Sequence, residues 1–121
     1  MELKNRVCSF EQAKKLKGLG VPQDACMKFC ETKEGQHYIN MPPFGCAGTD
    51  VEYSAYDVAE IGEMLPMYCD SGRTHTGWEC IYKTRPSGLI HMEGCHKTEA
   101  EARAAMLIYL LENNLYTLDQ Q

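Results

Sequence analysis

The chain has 121 residues, a composition ordinary for a globular protein and a formal net charge of −5. That length gives one domain, spanning 1–121, which buries roughly two-thirds of its unfolded surface without staples. The acidic balance argues against general nucleic-acid binding, and the longest apolar run, 104–111, is far too short to span a bilayer.

The charge is uneven along the chain. Residues 1–17 carry Lys4, Arg6, Lys14, Lys15 and Lys17 against Glu2 and Glu11, whereas residues 50–63 carry Asp50, Glu52, Asp57, Glu60 and Glu63 with no base. The N-terminal stretch MELKNRVCSF has no apolar h-region, so no secretory signal is expected. The expected location is cytoplasmic, with most of the seven cysteines as free thiols.

A first helix starts at Ser9. Ser9 and Gln12 make a capping-box pattern, and Phe10, Ala13 and Leu16 fall on one face with lysines on the other. Gly18 or Gly20 ends it, and Pro22 forbids continuation. The Lys14, Lys15 and Lys17 cluster fits a solvated face near a helix C-terminus better than a phosphate contact. Segments 26–31 and 37–41 are expected strands joined by a turn around Gly35, although Cys26, Phe29 and Cys30 would also fit one helical face. Residues 42–48, including Cys46, form a loop by composition, and a short strand follows at 51–53.

The second helix is expected to begin after Ser54, with Asp57 as its cap partner. Val58, Ile61, Gly62 and Leu65 then make a buried stripe, with Asp57, Glu60 and Glu63 opposite. Gly62 costs helix stability relative to alanine, which implies close packing there. Pro66 ends the helix by barring the helical conformation at Leu65. Residues 70–77, polar and Gly-bearing, read as an exposed loop. Trp78, Cys80 and Tyr82 alternate with Glu79, Ile81 and Lys83 as a half-buried strand; 84–88 is a turn, 89–92 the partner strand, and 94–97 a link.

The last helix runs from 98 to about 115. Thr98 and Glu101 form a capping-box pattern, and Glu99 and Glu101 sit near the positive end of the helix dipole. Residues 106–111 are all apolar, so this helix is expected to be covered on more than one side. Its own sheet and helices can do that, and so can a second subunit, which leaves a homo-oligomer open. Asn113 and Asn114 supply a left-handed stop. The expected fold is a small single-domain α+β protein, an antiparallel sheet of four or five short strands packed with about three helices.

Three segments, SFEQAKKLKGLGVPQ (9–23), SAYDVAEIGEMLP (54–66) and EAEARAAMLIYLLENNL (99–115), together resemble a family of small proteins of unknown function encoded by bacteriophages and prophages. They cover a little under half of the chain, with a Trp-containing strand between the last two. Cys26, Cys30, Cys46 and Cys95 are not part of the family's pattern. The resemblance brings no catalytic residues. It implies expression in a bacterial cytoplasm and, as for small accessory phage proteins generally, binding to a host or defence protein.

Four readings compete for the polar residues: a zinc site, a cysteine nucleophile, an interaction surface, and acid–base chemistry at Asp57, Glu60 and Glu63, which on a polar helix face fit a solvated role better. Cys26 and Cys30, with Cys80, His91, Cys95 and His96 downstream, are soft donors of the kind zinc takes in a tetrahedral site, but no pair has the two-residue knuckle spacing, and buried thiols are favoured. Cys95 and His96 are adjacent, yet neighbours in sequence rarely point at each other, so a cysteine nucleophile is disfavoured. No GxSxG, HExxH, phosphate-loop or dinucleotide glycine pattern is present. An interaction surface is the remaining candidate: Asp57, Glu60 and Glu63 as a charged docking face, for which a plain solvated face is the favoured alternative, with Arg73, His75 and Trp78 as candidate hot-spot side chains. The function expected is non-enzymatic binding of a protein partner, without membrane association and without a cofactor. The alternative is a small zinc-stabilised or ligand-binding domain.

Overall fold

The computed structural model describes residues 2–41, 50–83 and 88–118. After a short 3-10 turn at Leu3–Asn5, helix α1 covers Phe10–Gly18. Its start is the expected capping box: Ser9 Oγ accepts from the Gln12 N–H (3.1 Å), and Gln12 Oε1 accepts from the Ser9 N–H (3.0 Å). Two of the helix's orphan donors are satisfied reciprocally in this way.

The first sheet has β1 (Met27–Glu31) between β2 (His37–Asn40) and β3 (Val51–Ala55), all antiparallel. Phe29 lies opposite Ile39 on one side and Tyr53 on the other. Met27, Phe29 and Ala55 turn into the core with Ala13 and Leu16 of α1. The 42–48 loop, with Cys46, lies outside the described residues, as do positions 84–87 of the later turn.

Helix α2 is Val58–Met64, and its cap is Asp57 rather than Ser54. Asp57 Oδ1 accepts from the Glu60 N–H (2.8 Å), and Glu60 Oε1 accepts from the Asp57 N–H (2.9 Å). Ser54 is not free to cap because β3 extends through Ala55. Ser54 pairs with Lys28 across the ladder, and its buried hydroxyl accepts from the Ala25 N–H (3.2 Å). Leu65 then leaves the helix in extended conformation (φ −75°, ψ 150°), as the proline after it requires.

The second sheet has β5 (Gly77–Lys83) between β4 (Cys69–Thr74) and β6 (Leu89–His96). The described strands therefore make two three-stranded antiparallel sheets, not one sheet of four or five strands. Residues 70–74 belong to an edge strand, not to a loop, with His75 and Thr76 as a tight turn into β5. An edge strand needs only one paired side, so its polar side chains carry no burial penalty and hide the strand from hydropathy. Residues 94–96 also belong to β6 rather than to a link.

Helix α3 (Glu99–Glu112) packs on all three strands of the second sheet and on α1 and α2. Its buried residues, Ala100, Ala102, Ala104, Met106, Leu107, Ile108 and Leu110, occupy more than one side, as expected for a helix apolar all round. Thr98 caps it by accepting from the Glu101 N–H (3.1 Å), and Asn114 after its end is left-handed (φ 54°). Among the described residues, no helix is long and apolar enough to cross a membrane.

Candidate functional site

Three distant stretches of chain meet beside Trp78. Val7 forms an isolated antiparallel bridge with Asp57, and the Cys8 N–H donates to the Tyr56 carbonyl (2.9 Å). This pairing fixes Asn5 and Arg6 against the start of α2. Trp78 pairs with His96 at the end of β6, so the chain enters α3 through Lys97 and Thr98 at the same place. The result is an open cleft of about 510 Å³ lined by Asn5, Arg6, Asp57, Val58, Ala59, Trp78, Lys97, Thr98 and Glu99. That volume falls in the range of small-ligand and peptide-side-chain pockets.

The charges around the cleft differ in how far they are committed. Asp57 is engaged in capping α2. Glu99 accepts from Ser71 Oγ (2.5 Å) and pairs with Arg103 Nη2 (3.5 Å). Arg6 and Lys97, both exposed, have no salt-bridge partner among the described residues. With Glu99 offset by Arg103, Arg6 and Lys97 stand against Asp57 alone, which leaves one net positive charge among these groups.

Both walls are tied to one guanidinium. Arg103 on α3 donates from Nε to Ser71 Oγ (2.9 Å) and from Nη1 to the Val58 carbonyl (3.2 Å), besides its pairing with Glu99. The group reaches Val58 because position 62 is glycine. A Cβ there would collide with Arg103 Nη1, which accounts for the close packing expected at Gly62.

Of the six expected interaction residues, the structure brings Asp57 and Trp78 into this cleft. Glu60 and Glu63 line a different depression with Pro22, Asp24, Tyr56, Met64 and Leu118. Glu60 is also committed to the fold, because its carboxylate accepts from the Asp57 and Cys26 N–H groups (2.9 and 3.0 Å). Arg73 lies opposite Trp78 on β4 and His75 in the following turn; both are exposed, and neither lines the cleft. Sequence reasoning missed Asn5, Arg6, Lys97 and Glu99.

The six candidate metal ligands do not converge on one point. Cys26 is exposed beside β1, and Cys30 is disulfide-bonded. Cys95 is exposed, with Sγ 3.9 Å from Thr76 Oγ1, while its neighbour His96 turns to Glu93. The Glu93 carboxylate bridges His91 Nε2 (2.5 Å) and His96 Nε2 (3.3 Å), and Tyr109 of α3 stacks on His91 with ring centres 3.4 Å apart. Cys80 is buried under α3 and shares a thiol–thiol hydrogen bond with Cys69. Among the described residues, no group of three or more His, Cys, Asp or Glu is arranged to hold a metal ion.

The thiols should differ widely in reactivity. Burial pushes the Cys8 thiol up to about 12, so it stays protonated as well as shielded. The bond between Cys69 and Cys80 holds the Cys69 thiol protonated and pulls Cys80 down as its acceptor, yet Cys80 is fully buried. Maleimide labelling of the native protein at pH 8, read by peptide mass, is expected at Cys26 and Cys95 first. Cys8 and Cys80 should label only after unfolding in urea; native labelling of Cys8 as fast as Cys26 would contradict its position in the core.

Comparison with protein-family models, with curated proteins and with solved structures found no match.

Proposed function

We propose that this chain is a non-enzymatic binding protein of phage or prophage kind, which attaches to a host or defence protein of a bacterial cell through the cleft around Trp78. The observation that carries the binding reading is the position of the chain's sole tryptophan, half-buried in the wall of an open cleft. Tryptophan offers a large rigid apolar face and is the side chain most often found to dominate binding energy at interfaces. The phage setting rests on the three resembling segments, which include both flanks of the cleft: 54–66 contains Asp57, Val58 and Ala59, and 99–115 begins with Glu99.

The test is affinity capture from the bacterial host with tagged wild-type chain, Trp78→Ala and Ala59→Gln, followed by mass spectrometry. Ala59 is exposed on the cleft wall, so glutamine there fills space without opening the core. One stoichiometric partner is expected with wild type and not with either variant, while the circular dichroism melts of all three stay cooperative. A partner retained by both variants would place the binding surface elsewhere, and a clean self-only preparation would sink the reading.

A further inference from the structure

Resting on that reading, we infer that the cleft takes an acidic segment of a protein chain, whose carboxylates sit between Arg6 and Lys97 and whose neighbouring apolar side chain lies on Trp78. The first support is charge. Asp57 and Glu99, the two carboxylates of the cleft, are already hydrogen-bonded within the fold. Arg6 and Lys97 are exposed with no salt-bridge partner among the described residues, on a chain whose net charge is −5. An acidic ligand is repelled by most of this surface and attracted to that pair, which directs encounter to one place.

The second support is shape. A neighbouring depression of about 520 Å³ shares Asn5 and Lys97 with the cleft and is walled by Phe10 and His37, whose rings stack with centres 4.1 Å apart. The two depressions share Lys97, and each presents an apolar aromatic wall, Trp78 in the one and Phe10 in the other. A compact anion such as inorganic phosphate would meet the two cations and leave those apolar walls bare. A peptide with alternating acidic and apolar side chains would cover both. The second depression is lined by Glu2, ion-paired with Lys4, and by Glu101, whose carboxylate offsets Lys97, so the acidic part of the ligand belongs on the Arg6 side.

Because Trp78 is the only tryptophan in residues 1–121, its fluorescence in that chain reports directly on the site. The probes are a blocked peptide of alternating glutamate and leucine, its lysine–leucine counterpart and inorganic phosphate. Saturable change in Trp78 emission is expected with the glutamate–leucine peptide alone, weakening as salt is raised. Arg6→Glu and Lys97→Glu are each expected to weaken it about tenfold, with thermal melts unchanged because both side chains are exposed. No response to the acidic peptide, an equal response to the lysine peptide or to phosphate, or full affinity in both charge-reversal variants would each overturn the inference. Its failure is separable from failure of the binding reading: host-protein capture lost in Trp78→Ala but kept in the Arg6→Glu, Lys97→Glu double variant would leave a binding cleft whose ligand is not acidic.

Discussion

Replacing Leu107 with alanine is expected to lower the stability of the domain by about 3 kcal/mol, the middle of the range for a buried leucine whose site cannot collapse. Leu107 is fully buried on α3, in a core to which α1, α2 and both sheets contribute. The elements around α3 are held by separate ladders and caps, so they cannot all close on the void. Urea unfolding followed by circular dichroism would read the loss as a lower midpoint at unchanged slope, and the melting temperature should fall by roughly 10 °C. Leu115→Ala is the control. That leucine is 50 % exposed just beyond the end of α3, and its loss should stay within about 0.5 kcal/mol. Equal losses at the two positions would mean that α3 does not sit at the centre of the core.

Gly77→Ala should cost about 2–3 kcal/mol, although it adds one methyl group on the rim of a hairpin. Gly77 has φ +140°, which L-residues rarely adopt, and a Cβ there would stand 2.7 Å from the His96 carbonyl oxygen. The obstacle is backbone of the neighbouring strand, so relief requires β5 and β6 to separate beside Trp78. Partner capture should therefore weaken along with stability. Gly72→Ala offers the comparison within the same sheet, since nothing lies within 4 Å of its added Cβ. It should change stability by no more than about 0.5 kcal/mol. If both glycines tolerate alanine equally, the hairpin is looser than its pairing indicates.

What was legible in the sequence was what local chemistry decides. Ser9 with Gln12, Thr98 as a cap, Pro66 as a stop and Asn114 as a left-handed exit act within one turn of helix, and each is found in its expected role. The all-round burial of α3 followed from composition alone. Asp57 and Ser54 show the limit. Both suit a helix cap, and the choice was made by β1, whose ladder with β3 takes in Ser54 and Ala55. The edge strand β4 was hidden because Asp70, Ser71, Arg73 and Thr74 look like loop residues while their backbones pair with β5. The cleft was less legible still. Trp78 and Asp57 were singled out by residue type, but Arg6 joins them only through the Val7–Asp57 bridge, a contact fifty residues apart in sequence. No periodicity or motif encodes a contact of that kind.

The guanidinium of Arg103 gives the cleft a further property. One planar, permanently charged group holds Val58 on one side and Glu99 on the other, so the gap between those two walls is gauged from inside the protein. On the proposed reading, an incoming chain would meet a slot already at its working width. Little ordering entropy is then left to lose on the receptor side, and association is limited by encounter and alignment rather than by a rearrangement of the walls. A lysine at 103 would keep the charge but hold one wall at a time, and the slot would become a hinge.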